Sequence, residues 1–166
     1  MHLRARNEGL TVKSINFLKY NLATGFGVGL SPYAPGTLGS VLGLLFVWFF
    51  FPHSVLWQFV VLTGVFLIAV YTGGWLADAE NVKDPSIVVV DEIIGQMITF
   101  FLIPVAALGS IKVMIVGLIL FRIFDIWKPW PVNKCEDMPG GLGIVLDDVA
   151  AGIYANIILQ IWLRIF

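Results

Sequence analysis

A chain of 166 residues with 58% hydrophobic and 13% charged side chains, and a mean hydropathy of +0.90, is more apolar than a soluble domain, of which about half is apolar. A formal net charge of -1 provides no general basic footprint and excludes nucleic acid as an expected partner. One cysteine, Cys135, excludes an internal disulfide and a Cys-rich metal site.

Residues 1–20 are polar and basic, without the ordered n-region, h-region and small-residue cleavage site of a secretory signal. They are expected to form a basic cytoplasmic segment ahead of a single helical membrane domain over 21–166. The Gly25–Gly27–Gly29 series lacks the strand–turn–helix context of a dinucleotide fold. Pro35–Gly36–Thr37 reads instead as a loop entering a helix, with Thr37 as N-cap. Such a helix start suits an anion, although plain capping accounts for the same residues.

Five apolar segments follow: Thr37–Phe51, Leu56–Ala77, Ile93–Leu108, Ile111–Trp127 and Val149–Phe166. The second is long enough to cross a hydrocarbon core of about 30 Å. The first and third are short, and Pro104 is expected to kink or shorten the third. The expected fold is therefore an all-α polytopic membrane protein of about four to five apolar helices, some short or kinked. Arg4, Arg6, Lys13 and Lys19 precede the first segment and place that end in the cytoplasm by the positive-inside rule. Five alternating crossings then put His53 and the turn near Gly109 outside, and 78–92 and 122–148 inside. Lys112, on the outer turn, opposes this weakly.

The acids are not scattered. No Asp, Glu, Lys or Arg lies between Lys19 and Asp78, and only Glu8 of the eleven acids precedes that gap. In "DPSIVVVDEIIGQ", Asp84 sits before a proline in a turn, while Asp91 and Glu92 adjoin an apolar helix. A charged side chain at the centre of a span costs roughly 2.5–3.5 kcal/mol, and adjacent carboxylates repel. A bound cation relieves both penalties; an aqueous acid patch at a helix N-terminus is the alternative. In "GGLGIVLDDVAAGIYAN", Asp147 and Asp148 repeat the pattern, and Asp148, Gly152 and Asn156 form a polar or small stripe. Helix capping by the Asp pair is the plainer reading of that stretch alone. In "FRIFDIWKPWPV", Arg122, Asp125 and Lys128 follow at three-residue steps. They suit phosphate binding, or a self-satisfied ion-pair chain at a membrane edge.

Carboxylates from separate segments, with Arg and Lys nearby, fit Mg²⁺-assisted phosphoryl chemistry. Other phosphatase types fit poorly. Cys135 has Gly141 rather than Arg six positions on, and the only histidines, His2 and His53, are distant from the acids in sequence. There is no Asp-x-Asp and no His-rich zinc set.

"SPYAPGTLGS", "DPSIVVVDEIIGQ", "FRIFDIWKPWPV" and "GGLGIVLDDVAAG", in that order over Ser31–Gly152, resemble the four signature blocks of the phosphatidylglycerophosphatase A family. The resemblance implies a bacterial Mg²⁺-dependent enzyme of the inner membrane that hydrolyses phosphatidylglycerophosphate to phosphatidylglycerol and phosphate, with its site facing the cytoplasm. By motif position it implies Asp91, Glu92, Asp147 and Asp148 as metal ligands, and Asp84, Asp91, Glu92 and Asp125 as catalytic acids. Arg122, Lys128 and Thr37 would bind the substrate phosphate. The alternatives are a small transporter or channel whose intramembrane acids bind a cation, and a membrane interaction subunit with no chemistry. Arg122 and Lys128 discriminate against the former, because they hinder a cation path.

Overall fold

The computed structural model describes residues 15–165, and the regular elements among them are all helical. Arg4, Arg6, Lys13 and His2 lie outside the described residues. A helix over 15–23, α1, leads through a 3-10 turn at Val28–Leu30 into α2, Pro35–Phe50. Then come α3, Val55–Glu80, and α4, Val90–Thr99. A short α5, Val105–Leu108, precedes α6, Ile111–Trp127, a short α7, Val132–Cys135, and α8, Gly141–Ile165.

Two of these helices, α3 and α8, are long and apolar enough to cross a membrane. At about 1.5 Å per residue, the 26 residues of α3 extend about 39 Å. Only 22% of its most apolar window is buried within the protein. The outward faces of α2, α3, α6 and α8 carry Phe49, Leu56, Phe59, Leu67, Ile115, Ile119, Ile157 and Ile161, all exposed. An apolar outer surface of this kind is stable against lipid, not water.

α4, of only 10 residues, lies at the centre, packed against α2, α3, α6 and α8. Val90, Asp91, Ile94, Gly95, Gln96, Met97 and Thr99 are all buried there. Close approach is made possible by glycine. A Cβ on Gly152 of α8 would stand 2.3 Å from the carbonyl oxygen of Gly95, and one on Gly95 would stand 2.7 Å from that of Asp148. The two backbones therefore touch where they cross, a small-residue contact of the kind that substitutes for hydrophobic driving force within lipid.

The third apolar segment is not one helix. α4 stops at Thr99, and the chain turns through Leu102, at φ 61°, before Pro104 starts α5. Irregular backbone at such depth needs internal partners, and they are present. Asn156 Nδ2 of α8 donates to the carbonyls of Thr99 and Phe101, at 2.9 and 2.8 Å. Gln58 Oε1 of α3 accepts from the Leu102 amide at 3.2 Å, and Gln160 Nε2 steadies Asn156 Oδ1 at 2.9 Å.

Two sequence expectations are corrected. Thr37 is not an N-cap: Pro35 occupies N1 of α2, Ala34 is the capping position at φ 45°, and Thr37 lies inside the first turn. Proline's fixed φ starts a helix without a side-chain cap. The fifth segment starts at Gly141, not Val149, so the Asp147–Asp148 pair lies well inside α8 and caps nothing.

Candidate active site

The N-termini of α2, α4 and α8 and the C-terminus of α6 meet around one cavity of about 390 Å³. Thr37, Asp84, Asp91, Glu92, Arg122, Asp125, Lys128, Asp147 and Asp148 all line it. Every site residue expected from the sequence is thus brought to one place. His53, in the turn between α2 and α3, lies at the opposite end of α2.

Each acid is placed by its helix. Asp91 and Glu92 occupy the first turn of α4, where the helix dipole favours negative charge. Asp148 projects from the facing side of α8. Asp91 stands four residues before Gly95, and Asp148 four before Gly152, so one turn from the glycine contact brings both acids to the same level. Ligand oxygens of Asp91, Glu92 and Asp148 lie within 4.8 Å of one another. Asp91 is 7% exposed and Asp148 3%. Asp91 Oδ1, Glu92 Oε2 and Asp148 Oδ1 are buried with no hydrogen-bond partner. Three crowded carboxylates with oxygens that find no partner among the described residues form a set of hard ligands suited to a divalent cation. α2 closes over the site: a Cβ on Gly36 would stand 2.3 Å from Glu92 Oε1 and 3.3 Å from Arg122 Nη1, so a larger residue there would displace the Glu92 carboxylate.

The cationic half is held by its own acids. Arg122 Nη1 pairs with Asp125 Oδ2 and touches Ser40 Oγ at 3.4 Å, leaving Nε buried without a partner. Lys128 Nζ bonds Asp147 Oδ2 at 2.7 Å and also Glu136. Burial works against the Lys128 ammonium, but these two hydrogen bonds outweigh it and raise its pKa, so it stays charged. Asp84, in the turn before α4, is pushed above the usual carboxylate range by burial, which the charge of Lys128 only partly offsets.

Adjacent acids therefore serve different partners. Asp147 faces Lys128 through Oδ2, with Oδ1 unpartnered, while Asp148 faces Asp91 and Glu92. Two participants were not singled out from the sequence. Ser40 is fully buried against Arg122, one turn beyond Gly36, and its position in "PGTLGS" was the available signal. Glu136 reaches Lys128 across the α6–α8 connection, a pairing that no local spacing announces. Lys19, one of the basic residues ahead of the first apolar segment, stacks over Tyr71 and Trp75, 4.7 and 5.5 Å from the ring centres.

A family model described as phosphatidylglycerophosphatase A matches residues 21–163. A Bacteroides thetaiotaomicron protein, named provisionally as a phosphatidylinositol-3-phosphatase, is 39% identical over 90% of this chain and 96% of its own. The phosphatidylglycerophosphatase A of Escherichia coli is 39% identical over 83% of this chain and 79% of its own. That of Haemophilus influenzae is 34% identical over 94% and 98%. No solved structure matches.

Proposed function

We infer the chemistry of the cavity from one premise: the chain belongs to the phosphatidylglycerophosphatase A family. Its reaction is hydrolysis of phosphatidylglycerophosphate to phosphatidylglycerol and inorganic phosphate. The observation that carries the site assignment is the meeting of the Asp91, Glu92 and Asp148 carboxylates with Arg122 in one cavity.

The three carboxylates would hold a divalent cation, Mg²⁺ by the hardness of an all-oxygen donor set. When bound, it polarises phosphate oxygens and lowers the pKa of a coordinated water. Thr37 and Arg122 receive the phosphomonoester, the unpartnered Arg122 Nε supplying a donor. Asp125 and Ser40 fix the guanidinium, and Asp147 and Glu136 fix the Lys128 ammonium at the cavity wall. These cations offset the charge that builds on the phosphoryl oxygens. Asp84, on the cavity wall in the turn before α4, accepts the proton of the attacking water. The water oxygen bonds to phosphorus, the phosphorus–glycerol oxygen bond breaks, and the departing oxygen takes up the proton that Asp84 accepted. The same two cations argue against a cation channel or transporter, whose path they would obstruct.

Residues 21–166 act as one multi-pass catalytic domain in the bacterial inner membrane. The cavity opens to the cytoplasm, and the basic segment 1–20 lies on that side. Support comes from the positive N-terminal residues and from the shared end of the bundle at which Asp84, Asp91, Glu92, Asp125, Asp147 and Asp148 lie.

The test is phosphate release by the purified protein in detergent from synthetic phosphatidylglycerophosphate, with Mg²⁺, with EDTA, and with Asp91→Asn. Release with Mg²⁺ alone is expected; equal release in all three removes the metal–carboxylate mechanism. Phosphatidylinositol 3-phosphate, offered in parallel because of the Bacteroides relative, reads out the head-group preference. Faster turnover of the inositol lipid would replace the glycerol lipid as substrate.

A further inference from the structure

A second, apolar concavity of about 780 Å³ opens beside the acid cavity, on the outer surface between α2 and α6. Its walls are Leu118, Ile119, Ile123, Ile126 and Trp127 of α6, with Thr37 of α2 opposite. These α6 residues recur at three- and four-residue steps, so they form one face of the helix. Ile119, Ile123, Ile126 and Trp127 are all exposed. Arg122 lies in the middle of this face and, with Thr37 and Ile126, also lines the acid cavity.

We propose that this groove is the lateral entrance of the active site and seats an acyl chain of the phosphorylated lipid substrate, with Thr37 and Arg122 forming the threshold between tail and head group. Three observations select the occupant. The groove is continuous with the acid cavity, sharing three lining residues with it. The groove residues on α6 are apolar apart from Arg122, so polarity changes where a head group would join its tails. By contrast, the other apolar groove on α2, between Val28 and Leu45, shares no residue with the acid cavity. A bulk lipid would sit equally well in either; only a substrate tethered to a phosphate in the acid cavity prefers this one. Entry from the side also spares the acyl chains a passage through water, a transfer that costs about 0.8 kcal/mol for each methylene exposed.

The inference rests on the phosphatase reading above, and its test separates the two. Ile119→Trp and Ile123→Trp fill the groove without touching the acids; Leu45→Trp places the same bulk in the other groove. Each is assayed in mixed micelles with long-chain phosphatidylglycerophosphate and with a short-chain, water-soluble version bearing the same head group. The groove variants are expected to lower kcat/KM for the long-chain lipid by about 10-fold, the scale of a steric misfit in an apolar pocket. The short-chain substrate should be spared in these variants, and Leu45→Trp should resemble wild type on both. Equal losses on both substrates, or none on either, overturn the groove assignment. Failure of the wild-type protein on both lipids overturns the phosphatase reading instead. A second measurement is independent of folding in the variants. Wild-type protein is irradiated with a phosphatidylglycerophosphate carrying a photoactivatable diazirine in its acyl chain. Adducts concentrated on Leu118–Trp127 are expected. Adducts spread evenly over the outer faces of α3 and α8 would mean that the groove holds only annular lipid.

Discussion

At the residue scale, the acid pairs are legible in the sequence because carboxylates in apolar surroundings are too costly to be incidental. The division of labour within a pair is not. Neighbours on a helix point about 100° apart, so Asp147 and Asp148 reach different partners, and the direction of each depends on where α8 lies against α4 and α6. This difference has a measurable consequence. Mg²⁺ should raise the melting temperature of the wild-type protein in detergent, since a ligand at 100 times its Kd stabilises by about 2.7 kcal/mol. Asp148→Asn should abolish that rise together with activity, because it removes one of three clustered ligands. Asp147→Asn should keep the rise while lowering kcat/KM, because its contact is Lys128. Identical behaviour of the two variants would merge the roles separated here. Arg122→Lys tests the phosphate side. Lysine keeps the charge but loses the planar fork that Asp125 and Ser40 orient. A fall in activity of about 100-fold, comparable to removal of one preorganised donor, is expected with little change in melting temperature; unchanged activity would remove Arg122 from the phosphate.

At the element scale, composition made the helices visible and misplaced some of their ends. "GGLGIVL" reads as a flexible loop because glycine usually punctuates helices. In the fold Gly140 makes the turn, at φ 61°, while Gly141 and Gly143 serve contact. A Cβ on Gly141 would stand 1.9 Å from the carbonyl oxygen of Val70, and one on Gly143 would stand 2.2 Å from that of Met138. The break after α4 was foreshadowed by Pro104, but the donors that make it tolerable, Asn156 and Gln58, lie far off in sequence. Asn156→Leu strands two carbonyls, each loss costing roughly 1–3 kcal/mol. It should lower detergent stability by that order, whereas Gln160→Leu, which removes only the brace on Asn156, should cost less. Gly152→Ala probes the crossing itself. The methyl group meets backbone that cannot rotate away, so α4 and α8 must part, at a cost of about 1–3 kcal/mol and with loss of the Asp91–Asp148 approach. Gly64→Ala, where a Cβ meets nothing within 4 Å, is the control and should not destabilise. Equal effects of the two substitutions would mean that helix propensity, not backbone contact, matters at the crossing.

At the scale of the whole molecule, the arrangement follows from a solvent that cannot hydrogen-bond. The buried acids Asp91, Asp147 and Asp148 gather where α4 and α8 meet, while large apolar side chains both fill the core and cover the outer surface. The acid cavity lies at the N-terminal end of α2 and the His53 turn at its other end. Apolar segment count and basic-residue placement together put 78–92 and 122–148 on one side, while the central position of α4 depends on packing that no local pattern announces. Membrane sidedness then has a direct test. In a Cys135→Ser background, single cysteines replace Lys83, beside the cavity, Lys134, between α6 and α8, and His53, at the far turn; all three positions are exposed. In intact cells a membrane-impermeant maleimide should label only the His53 position. After the inner face is opened, the Lys83 and Lys134 positions should label together. Labelling of positions 83 and 134 from opposite faces would place the turn before α4 and the approach to α8 on different sides. No single cavity can receive acids from both sides of a bilayer, so that result would dismantle the shared site whatever the activity of the protein.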